Sequence, residues 1–438
     1  GPRDLPERQR TMRQTTAWSH DLLDDEERAV FRSLSVFSRG FSLEAAEAVC
    51  TPGEKPTLET LSSLLDKSLV VSYPNDGEPR FGMLETIRQY AGDRLSESGD
   101  EERVRRRHAN FHLELAEKAA PELHASGRDS WLERLEREHD NFRATLSWAH
   151  ESAPQTAARM AMSLVWFWFH TGHWAEGRGW LEKSLSWAEA PARLRAGMLY
   201  GAGMISCFQG DRRPAHALLG EAATLFRELE DWRGLILTLH LFSLEVLDRG
   251  DPTKARALAE ESVELSRKQA GDLELVGSLC AVGMVAQSEN DFASARRAFE
   301  ECVEVCRRMG DGWLLSLPLR ELGVVVSRQG EHDRAVSLTR ESLSLLRSSK
   351  EQWFASRSLE ALALATSASG DYPRAARLYG AAEALQEKIG SSVLPYDRTN
   401  YATGVAAARE GLDERTFTEA WDEGRAMSLE EAILYALR

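Results

Sequence analysis

Short breaks recur along the second half of this chain at Gly210-Asp211, Gly250-Asp251, Asn290-Asp291, Gly330-Glu331 and Gly370-Asp371, each 40 residues after the last. An earlier break, Gly172-His173, precedes the series by 38 residues. Five residues after each break stands a small residue: Gly177, Ala215, Ala255, Ala295, Ala335 and Ala375. Twelve after it stands another: Ser184, Ala222, Ser262, Cys302, Ser342 and Ala382. Seven before it come Gly203, Gly283, Gly323 and Ala363, with Val165 and Ser243 the exceptions. A Gly or Asn in the left-handed region ends one helix, and the acidic residue or proline that follows opens the next. Small residues at fixed phase let helices approach closely. The period therefore predicts six helix hairpins over residues 155–390, each burying its face against its neighbours.

These breaks and small residues resemble tetratricopeptide repeats, whose usual period is 34. The Leu322-Gly323 pair, Ala335, and the aromatics Phe299 and Tyr379 nine after their breaks carry the likeness. The longer period is read as a second helix extended by about two turns, with Trp232, Leu273, Trp313 and Trp353 marking the extension at nearly constant phase. That long form resembles the solenoids of bacterial signal-transduction ATPases and their transcription-regulator relatives.

Residues 20–97 carry a different pattern. DLLDDEERAVFRSLSVF, FSLEAAEAVC and TLETLSSLLDKS read as three helices, and LVVSY and RFGML as strands joined by PNDGEP. ETIRQYAGDRL is helical again, and three helices with a hairpin describe a winged helix. A groove-reading third helix needs Arg, Lys or Asn on its outer face. Here Lys67 stands against Glu59 and Asp66, and the hairpin tip contributes Asp76 and Glu78. No direct contact with nucleic acid is expected.

LSVFSRGFSLEAAEAVC, LLDKSLV and MLETIRQYA are similar to the winged helix that follows the nucleotide-binding domain in NB-ARC-type (STAND) signalling ATPases. In many relatives a Met-His-Asp motif reads the nucleotide; Met83, Leu84 and Glu85 align with it here, and leucine cannot hydrogen-bond a phosphate. No GxxxxGK[ST] loop occurs in the chain. The resemblance therefore implies an ATP- or ADP-binding domain upstream, no cofactor in this fragment, and no hydrolysis by it. Gly1-Pro2 reads as a tag scar and residues 1–19 as a linker helix. Residues 98–154 read as a helical connector, whose Arg103–Arg107 run is expected to be solvated or internally paired. Residues 391–438 read as helices capping the open solenoid end.

The expected fold is thus mainly all-α: a small winged-helix domain, then a right-handed helix-hairpin solenoid of about six repeats with a helical C-terminal cap. Five cysteines without a CxxC pair fit a reducing compartment, and Cys302 and Cys306, one helical turn apart, read as packing rather than metal ligands. The formal net charge of −15 argues against a chain-wide nucleic-acid surface. The longest apolar run, about half of the ~20 residues a spanning helix needs, excludes a membrane helix. A cytoplasmic protein is expected.

A ligand site is expected on the stripe of each first helix that lies opposite its packing face (Leu319, Leu322, Gly323 and Val326 in the fifth repeat). That stripe runs through Trp166, Phe169, His170, Tyr200, Met204, Cys207, Phe208, His240, Leu244, Leu247, Cys280 and Met284, and turns charged at Arg320, Arg328, Arg357 and Glu360. An apolar wall shading into arginines suits an amphipathic effector: a peptide, an acyl metabolite or a partner's helix. The competing expectation is that curvature or the cap buries the stripe and that Arg357 pairs with Glu360. Trp168 and Trp174 are expected in the core. The implied role is the sensor region of a signalling ATPase transcription regulator, with an assembly scaffold as the alternative.

Overall fold

The computed structural model describes residues 7–50, 55–73, 79–124, 127–269, 271–347, 352–391 and 397–438. The expected tag scar and the hairpin-tip residues Asp76 and Glu78 lie outside them. The chain divides into two compact units, Gly1–Leu164 and Val165–Arg438.

The first unit comprises α1 (Glu7–Asp21), α2 (Asp25–Ser33), β1 (Phe41–Ser42), α3 (Leu43–Val49), α4 (Thr57–Asp66), β2 (Val71–Tyr73), β3 (Arg80–Gly82) and α5 (Glu85–Ser98), then α6 (Glu101–Glu122), α7 (Arg128–Arg137), α8 (His139–Ser152) and α9 (Pro154–Ser163). A capping box between Asp24 and Glu27 starts α2. β3 lies between β1 and β2, antiparallel to both, with Phe41 opposite Phe81 and Val71 opposite Gly82. The two-residue β1 was not expected, being too short to show alternation. Phe31, Phe41, Leu61, Leu64 and Ala91 fill the winged-helix core. Arg103, Arg105 and Arg106 pair with Asp100, Glu101 and Glu102, as internal pairing requires. α9 packs on α6 and α8, so the segment expected to begin the first repeat belongs to the first unit.

In the second unit the hairpins are α10 (Val165–Thr171) with α11 (Trp174–Leu185), α12 (Ala192–Gln209) with α13 (Arg212–Glu228), and α14 (Trp232–Asp248) with α15 (Pro252–Gln269). They continue as α16 (Asp272–Ser288) with α17 (Phe292–Met309), α18 (Gly312–Arg328) with α19 (His332–Leu345), and α20 (Gln352–Ala368) with α21 (Tyr372–Ile389). All six break residues are left-handed, with φ from +61° at Asn290 to +88° at Gly250. At five of them the next N–H reaches back to close the turn, as Asp211 N does to the Ser206 carbonyl at 2.9 Å. The small residues do what their phase requires. A β-carbon on Gly203, Gly283 or Gly323 would lie 2.5–2.8 Å from a side chain of the paired helix. Position twelve after the break adds a polar tie: Ser262, Cys302 and Ser342 each reach the carbonyl 26 residues earlier, at Ile236, Val276 and Ser316. Cys302 thus stands where its neighbours carry serine. Its hydrogen bonds with Cys280 and Cys306, together with burial, push its thiol well above the ordinary range.

The second helix is not alone in being extended: α14 and α15 have 17 and 18 residues. Asp231 and Asp311 accept hydrogen bonds from Gly234 and Leu314, so Trp232 and Trp313 open the next first helix and the extra length is shared. After the last hairpin, α22 (Arg398–Glu410), α23 (Glu414–Arg425) and α24 (Leu429–Leu437) pack on α19, α20 and α21. Contact between α21 and α23 is close because Gly380 and Gly424 face backbone: a β-carbon on Gly424 would sit 2.0 Å from the Arg377 carbonyl oxygen. No helix among the described residues is long and apolar enough to cross a membrane.

Candidate functional site

The inner stripe of the first helices does converge, but on itself rather than on an open groove. Phe169 and His170 of α10 are 4% exposed and meet α18 and α20: the His170 and Trp313 ring centroids are 5.0 Å apart and those of Phe169 and Phe354 6.4 Å. Phe208 of α12 stands 4.7 Å from Trp353 and 4.8 Å from Phe169. Trp166 is half-buried against Phe169 and His170. Aromatic side chains at the first-helix ends of the first two hairpins therefore pack against those that open the fifth and sixth. Trp168 and Trp174 are core, as phased, and so is Phe167, which had no expected place.

Further along, Tyr200, Met204, Cys280 and Met284 are buried, and burial pushes the Tyr200 hydroxyl and Cys207 thiol far up. His240 packs against Gly277, and burial holds its imidazole down at about 4. Leu244 lines a cleft of about 40 Å³ with Cys207, Phe208 and Glu245, room for a water or two. His216 Nδ1 lies 2.5 Å from the Glu245 carboxylate at its edge.

The charged end departs most from an open groove. Arg320 and Arg357 are each 2% exposed. Arg357 pairs with Glu360 and with Asp397, while Arg320 pairs with its neighbour Glu321 and lies 4.0 Å from Asp397. Gln386 donates to Glu360 at 2.8 Å. Burial raises the Glu360 carboxyl despite the arginines beside it. Arg328 is elsewhere, exposed, with its guanidinium over the Phe292 ring. So of the three arginines expected to meet a ligand, two are buried in an ionic cluster and the third does not join them. The physical reason is the cap: Asp397, just before α22, brings a carboxylate into the stripe from beyond the repeats, a partner that repeat phase does not reveal. The cluster lines a cavity of about 20 Å³ with Tyr379, Asn400 and Tyr401. The Nε atoms of both arginines and the Tyr379 hydroxyl have no hydrogen-bond partner there.

In the first unit, the exposed face of α4 presents Leu58, Glu59, Ser62 and Asp66, while Lys67 is held 2.6 Å from the buried Glu27. Burial would raise the Glu27 carboxyl, but hydrogen bonds from Lys67, Ser63 and Asp24 keep it below the ordinary range. Leu84 is exposed at the start of α5 and Glu85 is paired with Arg88.

Fold and site together define a winged helix followed by a helix-hairpin solenoid. Residues 23–96 match the family described as winged helix-turn-helix domain. A protein of Mycobacterium tuberculosis (strain ATCC 25618 / H37Rv), named as a candidate HTH-type transcriptional regulator, is 37% identical over 190 residues, 42% of this chain and 21% of its own length. The chain thus matches about a fifth of that relative. Among solved structures, a Signal Transduction ATPase with Numerous Domains (STAND) protein with a tetratricopeptide repeat sensor from Pyrococcus horikoshii is similar over 92% of this chain and 63% of its own, at 14% identity and a TM-score of 0.44. A Rap protein complexed with competence and sporulation factor is similar over 72% and 99%, at 12% identity and a TM-score of 0.46.

Proposed function

We propose that this chain is the regulatory region of a larger transcription regulator of the signalling-ATPase type, in which the solenoid binds an effector and the winged helix relays the event to a nucleotide-binding domain. By itself the region hydrolyses nothing, and its winged helix transmits rather than reads DNA, since the outer face of α4 carries no basic residue. The exposed Trp18 and Leu22 of the first unit are where a preceding domain would rest.

The observation that carries the effector reading is the ionic cluster of Arg320, Arg357, Glu321, Glu360 and Asp397. Buried ion pairs are a poor way to gain stability, and apolar replacements commonly do as well or better. Their best-attested use is to fix one of two arrangements. An effector's carboxylate or phosphate offers the two arginines what Asp397 offers them now, and its binding would displace Asp397. An effector shifts such an equilibrium only by its differential affinity for the two arrangements. The scaffold alternative is weaker, because the most exposed large hydrophobic among the described residues of the second unit, Met309, is only 36% exposed.

The test is a thermal-shift panel of small dicarboxylates, amino acids and short peptides on wild type, Asp397→Asn and Arg357→Met. At least one compound should raise the melting temperature of wild type, raise it further in Asp397→Asn, and leave Arg357→Met unmoved. Equal shifts in all three would overturn the reading.

A further inference from the structure

The first unit carries a cleft of its own. Ser42 and Glu44 at the β1–α3 corner, Arg80 of β3, Phe111 and Leu115 of α6, Arg134 and Arg137 of α7, and Glu138 line a cleft of about 260 Å³. The clefts beside Leu244 and beside Arg357 in the second unit hold about 40 and about 20 Å³. From this geometry we infer that the cleft binds a small amphipathic organic anion, with its apolar body on Phe111 and Leu115 and its anionic group on Arg137 and Arg134.

The walls are built and held. Arg80 is fixed by Glu138 at 2.5 Å and by the Arg137 carbonyl at 3.2 Å. Glu138 is itself 4% exposed, accepts from Asn141 at 2.7 Å and lies 3.6 Å from His112. Asn141 in turn donates to the Gly40 carbonyl and accepts from Ser38 N, which ties the loop before β1 to α8. The carboxylate of Glu138 is therefore spent inside the wall, and Arg80 is a fixed surface rather than a swinging one.

The charge left facing the cleft is positive. Arg134 pairs with the exposed Glu44 at 2.6 Å and lies over the Trp131 ring. Arg137 is exposed and donates only through Nε, to the Glu133 carbonyl at 3.3 Å; among the described residues its terminal nitrogens meet no carboxylate. A planar guanidinium free at both terminal nitrogens matches a carboxylate or phosphate with two parallel bonds. The Ser42 hydroxyl accepts from Ala45 N and keeps its proton to donate. Half-buried Phe111 and buried Leu115 supply the apolar floor. Arginines beside an apolar floor match a ligand with an apolar body and one anionic end.

Isothermal titration of the purified chain with phenyl phosphate and with octanoate tests this, with benzyl alcohol and inorganic phosphate as the neutral and the purely ionic comparisons. Either amphipathic anion should bind at one site per chain and tighter than both comparisons. Arg137→Ala, an exposed position, should weaken it about tenfold or more, the loss expected of a charge-assisted pair. Phe111→Ser should weaken octanoate as well, while Arg415→Ala, at an exposed arginine of the second unit paired with Glu419, should leave both anions unaffected. The inference is overturned by no saturable binding at millimolar concentrations, by equal affinity in wild type and Arg137→Ala, or by benzyl alcohol or inorganic phosphate binding as tightly as the amphipathic anions. The effector reading fails on the response of Arg357 and this inference on that of Arg137, so the two fail separately.

Discussion

His170 of the first hairpin and Trp313 of the fifth meet edge to face, with ring centroids 5.0 Å apart. A solenoid whose repeats touch only their neighbours stabilises itself one interface at a time. This one also joins its first two hairpins to its fifth and sixth, through Phe169, Phe208, Trp353 and Phe354. The closing contacts couple its two ends.

Trp353→Ala should therefore do more than empty a site. Removing a ring that is 5% exposed costs about 3–5 kcal/mol in a core that cannot collapse. Amide exchange in α10 should rise along with that in α20, while α14 and α15 keep their protection. Protection lost only around α20 would show that the ends are independent.

Arg357→Met leaves Glu360 and Asp397 buried without their shared cation, and the loss is expected to reach about 3–5 kcal/mol by chemical denaturation. Adding Asp397→Asn or Glu360→Gln to that variant should restore part of it, because each removes one of the stranded charges. Additive losses would contradict the cluster.

Two glycine substitutions should move stability in opposite directions. Gly179 lies exposed within α11 with nothing near its missing β-carbon, so alanine there should gain roughly 0.5–1 kcal/mol. Gly424→Ala places a methyl 2.0 Å from the Arg377 carbonyl, where backbone must move, at a cost of about 1–3 kcal/mol. Melting temperatures of the two variants decide the matter.

His240 supplies a pH dependence. Burial lowers its imidazole from 6.5 to about 4, so the unfolded chain takes up a proton before the folded one does. Its contribution is complete above pH 6.5 and is lost as the pH falls toward 4. The melting temperature of wild type should drop over that window, and that of His240→Gln should drop less. Parallel curves would remove His240 from the account.

What repeat phase determined was local: six breaks, the small residues packed between helices, and the core positions of Trp168 and Trp174. Those features depend on neighbours a few turns away, and their spacing records the contact directly. The winged helix was legible for the same reason, apart from β1, which is too short to alternate. The face opposite the packing was also legible as a stripe through Phe169, Tyr200, Met204 and Arg320. Whether that stripe stood open was decided by tertiary structure. Closure depends on the small rotation each hairpin adds to the last, summed until Phe208 meets Trp353, and no single repeat encodes the sum. The ionic partner of Arg320 and Arg357 came from Asp397, outside the repeats and at no repeat position. The cleft at Arg137 joins a strand corner and two connector helices far apart in sequence. Periodicity reports contacts that recur, and these contacts each occur once.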